Sequence, residues 1–191
     1  DQPDGARHAR PAADQPDGAM ITASTLRALS PKAKLDLTAL AAALSEWLPA
    51  YAIDTPLRVA HFLAQAAHET DGFRTLVEYA SGEGYEGRAD LGNVNKGDGP
   101  RYRGRGIFQL TGRANYRRIG AQLGVNLESE PEHAAEPALS VRIACIYWTD
   151  RRINVPADAD DIEAVTRKIN GGLRGLADRR VYLERVKPLL I

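Results

Sequence analysis

The chain has 191 residues, of which 43% are hydrophobic, and this fits one soluble globular domain or two lobes that share a core. Its 25 basic and 25 acidic residues balance, so net charge favours neither nucleic acid nor a membrane surface as a partner. The early apolar stretch at residues 35–53 is interrupted by Asp36, Glu46 and Pro49, which argues against a membrane span or a secretory signal there. The single cysteine, Cys145, lies in an apolar run and is expected to be a buried thiol.

The first nineteen residues differ in character from the rest of the chain. The sequence "DQPDGA" occurs at residues 1–6 and again at residues 14–19, and Met20 is the only methionine. We interpret residues 1–19 as a disordered leader added to a natural protein that begins at Met20. The alternative is a native flexible tail, and under either interpretation the folded domain is expected to cover residues 20–191.

Helical patterns dominate this domain in chain order. A short helix precedes Pro31, and an amphipathic helix is predicted from about Lys32 to Leu48. Thr55 and Pro56 then predict the start of a helix whose apolar residues run all round, as in a helix buried inside a domain. Glycine-rich residues 82–106 predict a loop, or a small hairpin. Further helical patterns lie at residues 114–123, 137–151, 159–169 and 177–190. We therefore predict a mainly α fold of helical lobes around a central buried helix.

Glu69 ends the predicted central helix, in the stretch "HFLAQAAHETDGF" of residues 61–73. The helix dipole and the apolar neighbours both favour the protonated form of a carboxyl group in the last turn. A protonated carboxyl is what a general acid needs, and glycoside hydrolysis is a common use of one. The alternative is an ordinary solvent-exposed glutamate at a helix end. A zinc site is not supported, because no second histidine follows at the spacing of the H-E-x-x-H motif.

A general acid in an inverting glycosidase needs a second carboxylate on the other side of the bond. The candidates just downstream are Asp71, Glu78, Glu83, Glu86 and Asp90. Along a continuous helix, nine residues from Glu69 to Glu78 would rise about 13 Å and end on the opposite face. We therefore predict that the "TDGF" segment turns the chain back, so that Glu78 faces Glu69 at roughly the 6.5–9.5 Å separation of inverting enzymes.

Three blocks carry a resemblance to a known family. They are "AHET" at residues 67–70, "YRGRGIFQLTGRANYRRIG" at residues 102–120 and "INGGL" at residues 169–173. In this order they resemble the glycoside hydrolase family 19 chitinases and, more closely, the family 19-like endolysins of bacteriophages. The likeness covers most of residues 57–188. It implies a lysozyme-like (α+β) catalytic domain over residues 20–191.

The resemblance also implies roles for individual residues. Glu69 corresponds to the general acid, Thr111 would hold the attacking water, and Gln109 would line the sugar site. Asn115, Asn170 and Arg179 are implied to belong to the cleft. Glu78 matches the second catalytic residue of the phage enzymes. Plant chitinases place that base farther along, so Glu83 and Glu86 remain alternatives, and Arg174 stands where plant enzymes have glutamate.

Other side chains suit a glycan for chemical reasons. Tyr85, Tyr102 and Tyr116 offer faces that could stack on pyranose rings, and amide side chains match sugar hydroxyls and N-acetyl groups. His68, beside Glu69, completes the predicted set of substrate-binding residues. Six arginines and no acidic residue lie between Arg101 and Arg118, which indicates either a solvated face or a patch for an anionic cell-wall substrate.

We predict an endolysin that hydrolyses the β-1,4 glycosidic bonds of bacterial peptidoglycan. The alternatives are a chitinase and a catalytically silent glycan-binding protein on the same fold. We expect no metal or cofactor, no nucleic-acid partner, no stable membrane insertion and a monomer. The resemblance implies an enzyme made in the cytoplasm of a bacterial host, which reaches the cell wall in the periplasm through a separate holin-type pore.

Overall fold

The computed structural model of the protein describes residues 21–190. The predicted leader, residues 1–19, lies outside this range, so the prediction for it stays untested. The longer helices are α1 (Ala23–Leu29), α2 (Leu37–Ala50), α3 (Pro56–Glu69), α5 (Arg113–Leu123), α6 (Pro137–Asp150), α8 (Ile162–Asn170) and α9 (Leu176–Val186). The short helices α4 (Asp98–Arg101) and α7 (Asn154–Asp158) lie between them.

Helix α3 is the central buried helix of the fold. It begins as predicted, with the Thr55 hydroxyl accepting a hydrogen bond from the Arg58 backbone N–H and with Pro56 at the first position. Every residue from Val59 to Ala67 is buried. Helices α7, α8 and α9 all pack against α3. Because α3 is enclosed on all sides, its two ends are the places where its residues can meet solvent.

Helix α2 begins five residues later than predicted, at Leu37 rather than Lys32. The Asp36 carboxylate caps it, accepting hydrogen bonds from the backbone N–H groups of Thr38 and Ala39 at 3.0 Å each. The backbone N–H groups of Lys34 and Leu35 instead donate to the Phe73 carbonyl. This tertiary contact holds the segment before α2 in a non-helical conformation.

Helix α6 joins two hydrophobic clusters. Its residues Val141, Ala144, Cys145 and Trp148 belong to the main core, where Phe62 of α3 packs 5.3 Å from Trp148 between ring centroids. Its other face contributes to a second cluster that contains Leu139, Ile143, Ile146, Tyr102, Tyr116, Ile119, Leu127 and Ala134. Cys145 is fully buried as predicted, and burial raises the pKa of its thiol.

The glycine-rich segment at residues 82–106 is an ordered loop with three short helical turns, Glu83–Tyr85, Ala89–Leu91 and α4. The buried Asn93 side chain fastens it, donating to the Tyr85 carbonyl and accepting from the Arg113 backbone N–H, each at 2.9 Å. The small hairpin offered as one possibility does not form within residues 21–190. Only isolated bridges, Val77 to Arg105 and Arg105 to Leu110, occur there.

The mainly α fold class is therefore confirmed. Among the residues that the structure describes, no helix has the length and apolar character required to cross a bilayer. The same part of the chain contains no cluster of histidine, cysteine and acidic side chains arranged to hold a metal ion.

His61 makes the stability of this fold sensitive to acid. Its side chain is fully buried in α3, and Nε2 lies 2.9 Å from Oδ1 of Asp160, while Nδ1 has no partner within residues 21–190. Burial lowers the pKa of His61, and this outweighs the nearby Asp160 and Asp161 carboxylates, which raise it. The unfolded chain therefore takes up a proton more readily than the folded one.

We expect the wild-type protein to lose stability relative to a His61→Gln variant as the pH falls below about 6.5, the ordinary histidine value. The loss should level off once the folded protein also protonates. Urea unfolding of both proteins between pH 8 and pH 4.5 measures the difference. Parallel pH profiles would show that His61 does not contribute in this way.

Candidate active site

Glu69 is the last residue of α3, and an unusual turn follows it. Asp71, Gly72 and Phe73 all have left-handed backbone conformations, with φ values of 51°, 69° and 55°. The buried Thr70 hydroxyl donates to the Ala66 carbonyl and accepts from the Phe73 backbone N–H. These two hydrogen bonds of the Thr70 hydroxyl stabilise the turn and so offset the strain of Asp71 and Phe73 in the left-handed region. The turn sends the chain back alongside the end of α3.

Glu78 lies on this returning segment, and two donors hold its carboxylate. The Tyr85 hydroxyl donates to Oε1 at 2.9 Å, and the Gly104 backbone N–H donates to Oε2 at 3.0 Å. The Glu78 backbone N–H also donates to the Gly104 carbonyl. Burial, followed by the hydrogen bond to Glu78, raises the pKa of Tyr85, so its hydroxyl remains a donor over the physiological range. The Glu78 carboxylate is thus fixed in orientation.

Glu69 and Glu78 line the same open cleft, which has a volume of about 280 Å³. That volume is near the lower end for ligand sites. Its other lining residues are Asp71, Thr75, Val77, Tyr79, Tyr85, Gln109 and Thr111. The structure therefore brings together five of the residues singled out in the sequence: Glu69, Glu78, Tyr85, Gln109 and Thr111.

The Glu69 carboxyl is paired on one side only. The Nη2 atom of Arg179, a fully buried side chain, donates to Oε1 at 2.5 Å. Oε2 has no hydrogen-bond partner within the described residues, and the side chain keeps 21% of its surface exposed. Arg179 therefore binds the Glu69 carboxyl from the protein interior, and the free oxygen is left on the side of the cleft.

Two further hydrogen bonds fix Gln109 and Thr111 in the lining of the cleft. Gln109 has a left-handed backbone, with φ of 51°, and its side-chain amide donates to the Gly106 carbonyl. The Thr111 hydroxyl donates to the Gln109 carbonyl at 2.8 Å, so its oxygen lone pairs are left to accept a hydrogen bond. A Cβ at position 104 would lie 2.5 Å from Oε1 of Gln109 and 3.1 Å from Oε2 of Glu78, so any larger residue than Gly104 would displace these two side chains.

A family model described as "Chitinase class I" of glycosyl hydrolase family 19 matches residues 49–170, which include the cleft residues from Glu69 to Thr111. The chain belongs to glycoside hydrolase family 19. It is accordingly a glycosidase with a chitinase-like domain.

Relatives of this family 19 enzyme occur in bacteria and plants. A glycosyl hydrolase family 19 domain-containing protein of Haemophilus influenzae is 33% identical over 154 residues, which cover 64% of this chain and 75% of the relative. Chitinase 8 of rice, Oryza sativa subsp. japonica, is 33% identical over 105 residues, or 54% of this chain, which spans only 39% of the rice protein. The crystal structure of chitinase C from Streptomyces griseus HUT6037 superposes with a TM-score of 0.69 at 24% identity, covering 93% of this chain and 95% of the other. The chain and this chitinase share the lysozyme-like fold that was expected from the sequence.

Two tyrosines predicted to stack on sugars do not face the cleft of the family 19 enzyme, and this corrects the prediction. Tyr102 and Tyr116 are buried in the second hydrophobic cluster, with their ring centroids 5.5 Å apart. Their hydroxyls donate to the carbonyls of Glu128 and Arg103. Both residues therefore support the wall that carries Gln109 rather than contact a substrate.

Arg179 also requires a correction, because a fully buried side chain cannot bind the substrate directly. Besides Glu69, its guanidinium donates to Oε1 of Gln65 and to the Arg174 carbonyl. Both partners other than Glu69 are neutral acceptors. Arg179 acts on the glycan only through Glu69, which it orients from behind.

The structure places three more predicted residues outside the cleft lining. His68 pairs through Nδ1 with Asp178 at 2.6 Å, and its ring occupies the space that a side chain at Gly175 would need. Asn115 donates to the Thr111 carbonyl at 2.8 Å, and Asn170 is exposed at the end of α8. Direct contact of these three with the glycan stays a prediction.

The alternative carboxylates, Glu83 and Glu86, do not line the cleft. Glu86 accepts hydrogen bonds from the backbone N–H groups of Gly97 and Gly99, so it organises the glycine-rich loop. Glu83 is exposed in the first turn of that loop. Of Glu78, Glu83 and Glu86, only Glu78 lines the cleft.

Three residues of the cleft lining were not predicted from the sequence: Thr75, Val77 and Tyr79. They lie in the returning segment, which was treated as a connection, whereas Asp71 was among the candidate carboxylates. The aromatic residue that directly follows Glu78 in the sequence was the available signal, because an aromatic side chain beside a candidate base in a glycosidase could contact the sugar.

Proposed function

We propose that this family 19 enzyme is an endolysin that hydrolyses the β-1,4 bonds of peptidoglycan between N-acetylmuramic acid and N-acetylglucosamine. The proposal is supported by the shared cleft of Glu69 and Glu78. The observation that favours an anionic glycan over neutral chitin is Arg103, an arginine without a carboxylate partner within residues 21–190, whose chain neighbour Gly104 binds Glu78.

The chemistry proposed is a single displacement with inversion. Glu69 gives its proton to the glycosidic oxygen, and the leaving sugar departs with that proton. A water molecule donates one hydrogen bond to the Thr111 hydroxyl and loses its other proton to Glu78 as it adds to the anomeric carbon. Tyr85 and the Gly104 backbone hold the Glu78 carboxylate in place while it accepts the proton.

Arg103 lies next to the wall that holds Glu78, although its own side chain does not line the cleft. The Gly104 backbone N–H, next along the chain, bonds Glu78, and the side chain of Arg103 packs against Gly82 at the start of the turn that carries Tyr85. Its Nε is buried without a hydrogen-bond partner, and no carboxylate within residues 21–190 pairs with its guanidinium. A buried donor on a cation is costly unless a partner satisfies it. Arg103 as a residue is only partly buried, so the lactyl and peptide carboxylates of peptidoglycan would pair with the part of its guanidinium that solvent reaches, not with the buried Nε.

The remaining arginines of the predicted basic patch contribute less than the sequence indicated. Arg113 and Arg117 both pair with Glu128, whose pKa their guanidinium groups lower to about 2. Arg118 lies 3.5 Å from Asp150. These ion pairs neutralise three of the six arginines. Arg101 and Arg105 donate to backbone carbonyls, which leaves Arg103 as the arginine of the patch with a buried, unsatisfied donor.

Chitin hydrolysis is the second candidate. It is favoured by the family description and by the names of the plant relatives, although the chain spans only about two fifths of those proteins. The two substrates share the β-1,4 linkage and the N-acetyl groups, so the same two carboxyls could cut either. The difference lies in the lactyl group, which chitin lacks.

Digesting purified peptidoglycan and chitin oligomers in parallel, with the new reducing ends identified by mass spectrometry, tests the proposal. We expect muramic acid ends from peptidoglycan and slow turnover of chitin. Equal or faster cleavage of chitin oligomers would identify a chitinase instead, and cleavage of peptide bonds would contradict both candidates.

Replacing Arg103 by glutamine should lower kcat/KM for peptidoglycan about tenfold, the scale of one charged hydrogen bond, with little change for a chitin tetramer. Arg118→Gln is the matched control, because it removes the same charge from an exposed arginine elsewhere on the molecule. Equal losses on both substrates, or equal losses in the two variants, would contradict the role of Arg103.

The biological role belongs to the same proposal. As an endolysin, the enzyme would be a monomer, made in the cytoplasm of a bacterial host and released through a holin-type pore to cut the cell wall. Loss of turbidity when purified protein is added to permeabilised Gram-negative cells measures that lytic activity.

A further inference from the structure

Tyr79 is unusually exposed for an aromatic residue. Its side chain keeps 75% of its surface exposed, and it is the only aromatic residue among the exposed large hydrophobic residues of positions 21–190. Single exposed apolar residues are common on protein surfaces, so exposure alone has no functional meaning. Tyr79, however, lines the cleft and directly follows Glu78.

The ring of Tyr79 is also held at its far end. Its hydroxyl donates to Oδ2 of Asp71 at 2.9 Å, and Arg74 lies 3.4 Å from the same carboxylate oxygen. At the near end, the Glu78 backbone is fixed by Gly104. A side chain anchored at both ends loses little conformational freedom when a ligand packs on it, which favours binding.

Asp71 is positioned for this contact by the strained turn. Its left-handed backbone, with φ of 51°, is a conformation that aspartate tolerates better than most residues but still at a cost. The turn places the Asp71 carboxylate on the cleft side, two residues after Glu69, where it reaches a residue eight positions later. The same turn therefore ends the helix at Glu69 and positions the Asp71 carboxylate that binds Tyr79.

We propose that Tyr79, anchored by Asp71, is a platform on which one N-acetylhexosamine ring of the glycan stacks beside the two carboxyls. The apolar C–H face of a pyranose packs on an aromatic ring, while the sugar hydroxyls stay available to polar groups of the cleft such as Gln109 and Thr75. The inference rests on the proposed placement of the glycan between Glu69 and Glu78. It adds a binding residue that both candidate substrates would use, because both contain N-acetylglucosamine.

Binding is best measured in a Glu69→Gln background, so that the sugar is not consumed. The probes are the tetrasaccharide of alternating N-acetylglucosamine and N-acetylmuramic acid and its counterpart made only of N-acetylglucosamine, titrated by calorimetry or NMR. Tyr79→Ala should raise the Kd roughly tenfold for whichever probe binds the parent, the scale of one aromatic contact. Tyr79→Trp, which retains a platform, should stay within about threefold of the parent.

The role of Asp71 is tested by a double-mutant cycle. Tyr79→Phe keeps the ring but removes the anchoring hydroxyl, and Asp71→Gly removes the carboxylate at a position whose backbone suits glycine. Each should raise the Kd about threefold, and the double variant should lose no more than either one, because both remove the same contact. Additive losses would overturn the anchoring role.

Val155→Ala is the control, since Val155 is 70% exposed on α7 and does not line the cleft. Its Kd should equal that of the parent, and melting temperatures should be similar for all variants. An unchanged Kd in Tyr79→Ala, with the parent still binding a probe, would overturn the platform and leave the proposed function intact. Failure of the parent to bind either probe would overturn both.

Discussion

Replacing Glu69 by glutamine should lower glycan cleavage by about 100-fold or more, because glutamine cannot give a proton to the leaving oxygen. Glutamine keeps the length of the side chain and an oxygen that accepts from Arg179. Activity is measured as the rate at which reducing ends appear from peptidoglycan and from chitin oligomers. Both substrates should be affected equally, since the acid is required whichever glycan is cut.

The Glu69→Gln variant needs a check of its folding, because the fully buried Arg179 loses the carboxyl group that it binds. Removing one partner of a buried pair destabilises proteins by a few kcal/mol, and here the loss is reduced by the exposed edge of Glu69 and by the retained hydrogen bond. Circular dichroism at the assay temperature shows whether the variant is folded. More than about a tenth of the wild-type activity in a folded variant would exclude Glu69 as the acid.

Replacing Glu78 by glutamine should also reduce activity by about 100-fold, since the water would lose its proton acceptor. The hydrogen bond from Tyr85 can be kept by the amide oxygen of glutamine, so the wall of the cleft should stay intact. The same assay on Glu83→Gln provides the matched control. Glu83 is exposed outside the cleft, and its replacement should leave the rate within about twofold of the wild type.

Glu86→Gln distinguishes a structural effect from a chemical one. Its carboxylate accepts from the backbone N–H groups of Gly97 and Gly99, so its loss should lower the melting temperature. The cleavage rate, measured at a low temperature where the variant is folded, should change little. A rate loss in Glu83→Gln or Glu86→Gln that exceeds that of Glu78→Gln would move the base into the glycine-rich loop.

Local signals were sufficient to predict most of the helices. Thr55 and Pro56 predicted the start of α3, and the unbroken apolar run from Val59 to Ala67 predicted its burial. These features depend on hydrogen bonds and side-chain periods within a few residues of each other. The start of α2 was wrong, since the Phe73 carbonyl, distant in sequence, binds the residues before Asp36.

The motifs and the family resemblance predicted part of the cleft. Residues that come together from distant parts of the chain could not be predicted. Glu69, Gln109 and Thr111 followed from sequence blocks, and the turn after Glu69 followed from Asp71 and Gly72. Whether Tyr85 or Tyr116 faces the cleft could not be read from sequence, because a tyrosine ring suits both a hydrophobic cluster and a sugar site.

The sequence by itself thus determined the mainly α class, the position of Glu69 at a helix end and membership of a glycosidase family, because each is written in residues close together or in a continuous motif. Only the tertiary structure decided that Glu78 lines the same cleft as Glu69, that Tyr79 is exposed next to Glu78, and that Arg179 binds Glu69 from the interior. Glu69 and Arg179 are 110 residues apart, and Glu78 and Gly104 are 26 apart. Contacts over such separations form because helices pack to bury their apolar faces, and that packing has no local signature in the chain.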